Sequence, residues 1–309
     1  MNKYFKIIFS LSIIVTLFSC EKEDNNPVVK LRDYTEQYAA DIDSIDKFID
    51  THSMTVDADY NVTFTEITAE SPPGTLNIRD EYADELQFKT VTNETHGVDY
   101  KIYFIKLREG DGERPSAVDS IHVSYRGVET IEGEQFDFAQ NPVWFNTDEL
   151  VPGWSEIMPY FKTGTYDPAD GPDPVTFSGY GAGVMFLPSG MGYYNISQGV
   201  ISAYSNLVFS FKLYELRYRD HDRDGILSKD EIENVLNNDP RKYDSDGDDI
   251  PNYFDNDDDG DRVLTKFELK KPDGTYHTFE TVPGCDGLAT DPARVRRYLD
   301  PTCKPPFIN

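Results

Sequence analysis

Two groups of residues in this chain have types and spacings that imply chemistry. In the first, aromatic residues and one acid recur in a fixed order. The chain reads Val-Ser-Tyr125-Arg-Gly127, then Gly133-Glu-Gln-Phe136-Asp137, then Leu150-Val151-Pro152-Gly153-Trp154, then Pro188-Ser-Gly-Met-Gly-Tyr193, with Ile201 and Phe209 beyond. Aromatic walls with a single carboxylate at the rim suit an uncharged peptide segment such as Xaa-Pro. Rotating a peptide bond costs about 18–20 kcal/mol because amide resonance is broken. Only prolyl bonds populate cis appreciably, and they exchange over tens to hundreds of seconds. A dry aromatic cavity disfavours the polar planar amide, and a few hydrogen bonds orient its carbonyl. Such catalysis needs no covalent bond and no cofactor.

The second group is a run of alternating carboxylates. Asp220, Asp222 and Asp224 lead into Gly225, followed by Ile226, Ser228 and Glu231. This is the order of an EF-hand calcium loop. Oxygens come from positions 1, 3 and 5, a sharp turn from 6, a backbone carbonyl from 7, a direct or water-mediated ligand from 9, and a bidentate carboxylate from 12. Two further loops keep the same frame: Asp244, Asp246, Asp248, Ile250, Asn252 and Asp255; then Asp257, Asp259, Asp261, Val263, Thr265 and Glu268. Their sixth positions hold Asp249 and Arg262, and Asp accepts a left-handed backbone more readily than Arg. The loops follow too closely for full flanking helices. Asp244 to Asp261 instead resembles thrombospondin type-3 repeats, in which calcium holds a chain with little core of its own. Hard oxygen ligands select Ca²⁺. The thin apolar flanks imply a structural ion.

These residues need elements to position them. Period-two alternation predicts strands over Tyr100–Leu107, Asp119–Tyr125 and Leu207–Leu216. A short helix is expected from Glu156 to Phe161, with Gly164 as its left-handed cap. The fold class implied is α+β: an antiparallel sheet wrapped around a short helix. Ahead of it, apolar spacing predicts an amphipathic helix over Leu31–Ile49, and alternation predicts a strand over Val62–Ile67. Residues 31–98 read as a spacer or packing segment without chemistry. Residues 165–184 read as an inserted, turn-rich loop.

The order of aromatics resembles the FKBP-type peptidyl-prolyl cis/trans isomerases over roughly a third of the chain. The resemblance implies that Trp154 floors a proline pocket, that Tyr125, Phe136 and Phe209 wall it, and that Asp137 sits beside the twisting carbonyl and orders the tyrosine. It implies that the Leu150-Val151 backbone bonds the bound peptide, that the Tyr193 hydroxyl grips a substrate carbonyl from a flap, and that Val200-Ile201 forms an apolar rim. The sequence departs from the family in three places. The loop after Asp137 is short, leaving Val143, Trp144 and Phe145 all open as the second wall residue. Tyr194 stands where a glycine follows the flap tyrosine. Ser202 stands where a proline follows Ile201.

The formal charge of −27 over 309 residues disfavours nucleic acid, whose phosphates require Lys and Arg. Residues 1–19 read as a signal peptide: Lys3 and Lys6, a short apolar run, then Ser19. Leu17-Phe18-Ser19-Cys20 resembles a bacterial lipobox, with lipidated Cys20 as the new terminus and a linker to residue 30. Cys285 and Cys303 are then free to pair in an oxidising compartment. The expected organisation is a leader, a lead-in segment over 31–98, an isomerase domain over 99–218, a calcium module over 219–269 and a stapled tail over 270–309. The function implied is isomerisation of prolyl bonds in exported client proteins by a lipoprotein of the outer membrane, on its periplasmic or cell-surface face. The alternatives are a proline-binding chaperone without turnover and a surface structural or adhesive protein.

Overall fold

The computed structural model describes residues 31–130, 133–167, 175–232 and 240–307. The leader, Cys20 and linker expected over 1–30 lie outside them. Helix α1 spans Tyr34–Thr51. It starts there because the Asp33 carboxylate accepts the Thr35 and Glu36 N–H groups at 2.9 and 3.1 Å, satisfying donors that have no partner within the helix. Strands β1 (His52–Val56) and β2 (Val62–Glu66) form a hairpin, and a single turn, α2 (Ile78–Glu81), follows.

The main sheet has six strands: β3 (Leu86–Asn93), β4 (Val98–Arg108), β5 (Ser120–Glu129), β6 (Gln135–Asn146), β9 (Gly181–Leu187) and β10 (Leu207–Arg217). Their order is β3-β4-β9-β10-β5-β6, and every neighbouring pair is antiparallel. Helix α3 (Pro152–Ile157) lies across one face, and β7 (Thr165–Asp167) and β8 (Thr176–Ser178) form a small hairpin outside the sheet. After β10 come two further single turns, α4 (Ser228–Glu231) and α5 (Thr265–Glu268).

Side chains alternate across a strand, so strands that are apolar at every position need covers on both faces. Tyr100, Ile102, Phe104, Met185, Leu187, Leu207, Phe209 and Phe211 point to the α3 face, where they pack with Trp154, Ile157 and Phe161. Tyr103, Ile105, Val184, Phe186 and Val208 point to the other face, under Ile45, Phe48 and Ile49 of α1 and Met54 and Val62 of the hairpin. Burying each such Ile or Phe contributes about 1.5–3 kcal/mol. Residues 31–98 are therefore more than a spacer. They supply the second cover and the edge strand β3, and a boundary at 98/99 would cut β4 after its first residue.

The short helix begins at Pro152, earlier than predicted, and passes into a 3-10 turn over Met158–Tyr160. Gly164 is not its cap. Its N–H bonds the Tyr214 carbonyl at 3.0 Å, and a Cβ there would fall 2.4 Å from the Ser178 carbonyl oxygen. Close approach of backbones, not a left-handed turn, explains that glycine. The turn-rich segment after Gly164 carries β7, β8 and the central strand β9, so only part of it is an insertion. Cys285 and Cys303 form a disulfide with Cα atoms 5.4 Å apart. Among the described residues, no helix is long and apolar enough to cross a membrane.

Candidate functional site

Four elements converge on a cavity of about 370 Å³. Pro152 occupies the first turn of α3, where its missing N–H costs nothing. Gly153 lets the helix lie against β9, since a Cβ would meet the Leu187 methyls at 2.3 Å. Trp154, 3% exposed, thereby becomes the floor. Its ring meets Phe209 at 5.2 Å and Tyr125 at 5.8 Å, both edge to face. Phe136 from β6 closes on Phe209 at 5.4 Å. Gly127 opposite has no room for a Cβ, which would lie 2.4 Å from the Phe136 ring.

Phe145 settles the open wall position. It lines the cavity with its ring 5.7 Å from Tyr125. Trp144 points away and stacks on His122 at 4.7 Å, and Val143 is exposed. Bulges in the β5–β6 pairing shift the register here, so counting along the strand could not have chosen among the three.

Asp137 is the carboxylate at the rim. It accepts the Tyr125 hydroxyl at 2.5 Å and its neighbour's Phe138 N–H at 2.8 Å. Burial, then the bond to Asp137, pushes the Tyr125 phenol well above its ordinary range. Burial, then the Asp137 charge, raises Tyr193 too. Both hydroxyls therefore stay protonated and able to donate. Leu150, Val151, Tyr193 and Ile201 complete the lining, with Glu149 and Gln198 as polar neighbours not foreseen from the sequence. The Gln198–Ile201 turn, closed by reciprocal backbone bonds of 3.0 and 2.9 Å, turns Ile201 inward. Val200 is 66% exposed and is not part of the rim.

The flap carrying Tyr193 is held by α1. Asp41, 2% exposed, accepts the Ser189 N–H at 2.9 Å and the Ser189 hydroxyl at 2.6 Å. Asn206 Nδ2 returns a bond of 3.2 Å to the Asp41 carbonyl. Tyr194 takes a left-handed backbone, at φ 49°. That conformation costs roughly 1–2 kcal/mol for a residue with a Cβ. Its ring stacks at 4.4 Å on Tyr34, which also stacks at 3.8 Å on His96. The N-terminal helix thus supports the altered flap.

The carboxylate loops also close as clusters. Ligand oxygens of Asp220, Asp222 and Asp224 lie within 4.8 Å of one another, as do those of Asp244, Asp246 and Asp248, and of Asp257, Asp259 and Asp261. The sixth positions are all left-handed: Gly225 at φ 106°, Asp249 at 74° and Arg262 at 75°. The first and third loops are buried, with Glu231 3% and Glu268 0% exposed, whereas Asp246 and Asp248 of the second are exposed. Both oxygens of Glu231 and of Glu268, and Oδ2 of Asp222, Asp224, Asp259 and Asp261, are buried without a hydrogen-bond partner among the described residues. Burial, then neighbouring carboxylates, pushes Asp222 up to about 8, Glu231 up to about 11 and Glu268 up to about 9. Hard oxygens converging without hydrogen-bond donors fit a divalent cation.

The ninth-position side chains are engaged elsewhere than the sequence implied. Ser228 Oγ accepts the His221 N–H at 3.2 Å and lies 2.7 Å from His221 Nδ1. Asn252 Oδ1 accepts the Ser245 N–H at 2.8 Å, and Thr265 Oγ1 bonds Asp258. Ile226, Ile250 and Val263 occupy the seventh positions, and Asp255 turns one oxygen to the Asp257 N–H at 3.0 Å.

The first loop is fastened to the cavity. Asp148, just before Leu150, pairs with Arg219 at 2.7 Å and with His221 Nε2 at 3.1 Å. Arg241 Nη1 donates to Ser155 Oγ of α3 at 2.7 Å.

A stretch of 130 residues is 28% identical to the probable FKBP-type peptidyl-prolyl cis-trans isomerase FkpA of Neisseria meningitidis, covering 41% of this chain and 40% of that protein. A stretch of 89 residues is 32% identical to the FKBP-type peptidyl-prolyl cis-trans isomerase FkpA of Escherichia coli, covering 28% of this chain and 30% of the relative. The chain is similar to FKBP-type isomerases. It spans less than half the length of these relatives. Among solved structures, a peptidyl-prolyl cis-trans isomerase from Pseudomonas syringae aligns with 60% of this chain and 98% of its own, at 18% identity and a TM-score of 0.35. The family model described as BamM C-terminal matches residues 221–292, the span that holds the carboxylate loops.

Proposed function

We propose that this protein is a peptidyl-prolyl cis/trans isomerase whose C-terminal module is stabilised by calcium. One observation carries the reading: Asp137 and Tyr125 are bonded at 2.5 Å on the rim of an aromatic cavity floored by Trp154. A proline ring packs on the indole, between Tyr125, Phe136, Phe145 and Phe209. The dry walls disfavour the planar, charge-separated amide. Asp137 and the Tyr125 hydroxyl flank the turning carbonyl. The Tyr193 hydroxyl and the Leu150-Val151 backbone hold the chain on either side, so that binding energy is realised in the twisted state. The similarity to isomerases named FKBP-type supports the same reading.

Clients would be proline-containing segments of exported proteins. The leader-like residues 1–19, the lipobox-like Leu17-Phe18-Ser19-Cys20 and the Cys285–Cys303 disulfide support work outside the cytoplasm, with lipid on Cys20 as the tether to the outer membrane. The loops would bind Ca²⁺ structurally, and the orphaned buried oxygens of Glu231 and Glu268 support that assignment. A second reading, a proline-binding chaperone without turnover, is favoured by the flap departures at Tyr194 and Ser202. Prolyl-peptide isomerisation by wild type, Asp137→Ala and Trp154→Ala separates the two. The isomerase reading predicts acceleration by wild type and its loss in both variants. Peptide binding by wild type with no acceleration establishes the chaperone reading.

A further inference from the structure

Asp258 occupies the second position of the third loop, which has no ligand role in an EF-hand frame. It is nevertheless 1% exposed. Its side chain turns away from its own loop: ligand oxygens of Asp224, Glu231 and Asp258 lie within 4.8 Å of one another. All three residues are at least nine-tenths buried, with Asp224 2% and Glu231 3% exposed. The two oxygens of Asp258 differ. Oδ2 accepts the Thr265 hydroxyl at 3.0 Å, and the same hydroxyl accepts the Asp258 N–H at 3.4 Å. Oδ1 has no hydrogen-bond partner, nor do Asp224 Oδ2 and both oxygens of Glu231, among the described residues. A carboxylate anchored through one oxygen and bare at the other is the arrangement of an oriented metal ligand.

The neighbouring geometry explains how a distant residue arrives there. Ser228, the first loop's own ninth residue, is committed to His221. Tyr253, 7% exposed, packs edge to face on His221 at 5.2 Å and draws the following chain against the first loop. The Ser245 hydroxyl bonds the Asp258 carbonyl and fixes the backbone.

We propose that Asp258 is a ligand of the first-loop cation, so that this site is built from two chain segments and joins the first loop to the third. The proposal rests on the calcium reading of the loops. Its consequence is coupling. Asp257 and Asp259 face the third-loop cluster while Asp258 faces the first. An ion in the third loop therefore orders the segment that completes the first. The first and third loops act as one cross-linked unit, not as separate beads on a flexible arm.

Calorimetric titration of the full chain with Ca²⁺ tests this, using Glu231→Gln to identify the first-loop site. Asp258→Asn keeps the side chain's shape and its acceptor for Thr265. It is expected to weaken the same site that Glu231→Gln removes by about tenfold or more, while Asp249→Asn, also a lost carboxylate, leaves it unchanged. Circular dichroism checks that each variant folds. A second measurement leaves Asp258 intact. Hydrogen exchange of Glu231→Gln in Ca²⁺ is expected to lose protection at residues 257–260 as well as 220–232. Uptake by wild type with Asp258→Asn indistinguishable from it, or exchange confined to 220–232, overturns the shared site and leaves the calcium reading standing. No uptake by wild type overturns both.

Discussion

The link between α1 and the flap gives a prediction that can be worked from the geometry. The Asp41 carboxylate accepts the Ser189 N–H at 2.9 Å, the Ser189 hydroxyl at 2.6 Å and the Gln37 amide at 2.6 Å, all in a site 2% exposed. A hydrogen bond to a charged group contributes about 1.5–3 kcal/mol. Asp41→Ala removes the acceptor of all three bonds and is expected to cost about 3–5 kcal/mol, a large part of an ordinary domain's stability. The sharper perturbation is Asp41→Asn, which still accepts from Ser189 but presents a donor to Gln37. It is expected to cost about 1–2 kcal/mol, because one charge-assisted set is replaced by neutral bonds. Ser189 opens the turn that leads to Tyr193, and the Ser189 N–H retains its 3.1 Å bond to Asn206 Oδ1. The fold should therefore persist while the flap loosens. If that energy goes into placing Tyr193, kcat/KM falls roughly 5–30-fold. The assay is prolyl-peptide isomerisation below the melting temperature of both proteins, alongside a urea unfolding curve. Unfolding shifted by the expected amount with kcat/KM within twofold of wild type would refute the coupling of α1 to the flap.

Other expectations concern the walls, the clamp and the acid clusters. Gly127→Ala places a Cβ 2.4 Å from the Phe136 ring and 3.0 Å from Phe209. Overpacking of this kind costs about 1–3 kcal/mol, and kcat/KM should fall more than melting temperature does. Asp148 ties Arg219 and His221 to the turn before Leu150, so EDTA should lower isomerase activity and Asp148→Asn should abolish that response. In EDTA, the folded carboxylates Asp222, Asp224, Glu231 and Asp258 sit near 8, 7, 11 and 9, above their ordinary values. A raised folded value favours the protonated form, so the unfolded chain binds fewer protons. The stabilisation is thus fully present below about pH 4 and is lost as pH rises from there through the folded values, about 7 to about 11. Thermal melts in EDTA should show stability falling from pH 5 to pH 9, and saturating Ca²⁺ should remove or reverse the slope.

Much of the cavity was legible because the order of Tyr125, Phe136, Asp137, Trp154 and Phe209 along the chain resembles that of the FKBP-type isomerases, and the structure brings all five to one cavity. Phe145 was not legible, since bulges at Val123/Tyr125 and Gly127/Val128 break the count between β5 and β6. Asp41 was invisible for another reason: its partner Ser189 lies 148 residues away, and a lone acid on a helix reads as a solvated face. Asp258 was hidden by its loop position, which carries no ligand in the motif. The second face of the sheet was missed because strands such as Met185–Leu187 are apolar at every position. Such a run says that both faces are covered without naming the cover.

NMR exchange measures turnover at a prolyl bond directly. Cis and trans forms of a short Xaa-Pro peptide give separate resonances that interconvert over tens to hundreds of seconds unaided. Catalytic amounts of the full chain in Ca²⁺ should bring the two into fast enough exchange to give cross-peaks, and Trp154→Ala should not. Peptide resonances that shift on binding, with interconversion left at the unaided rate, would contradict the account.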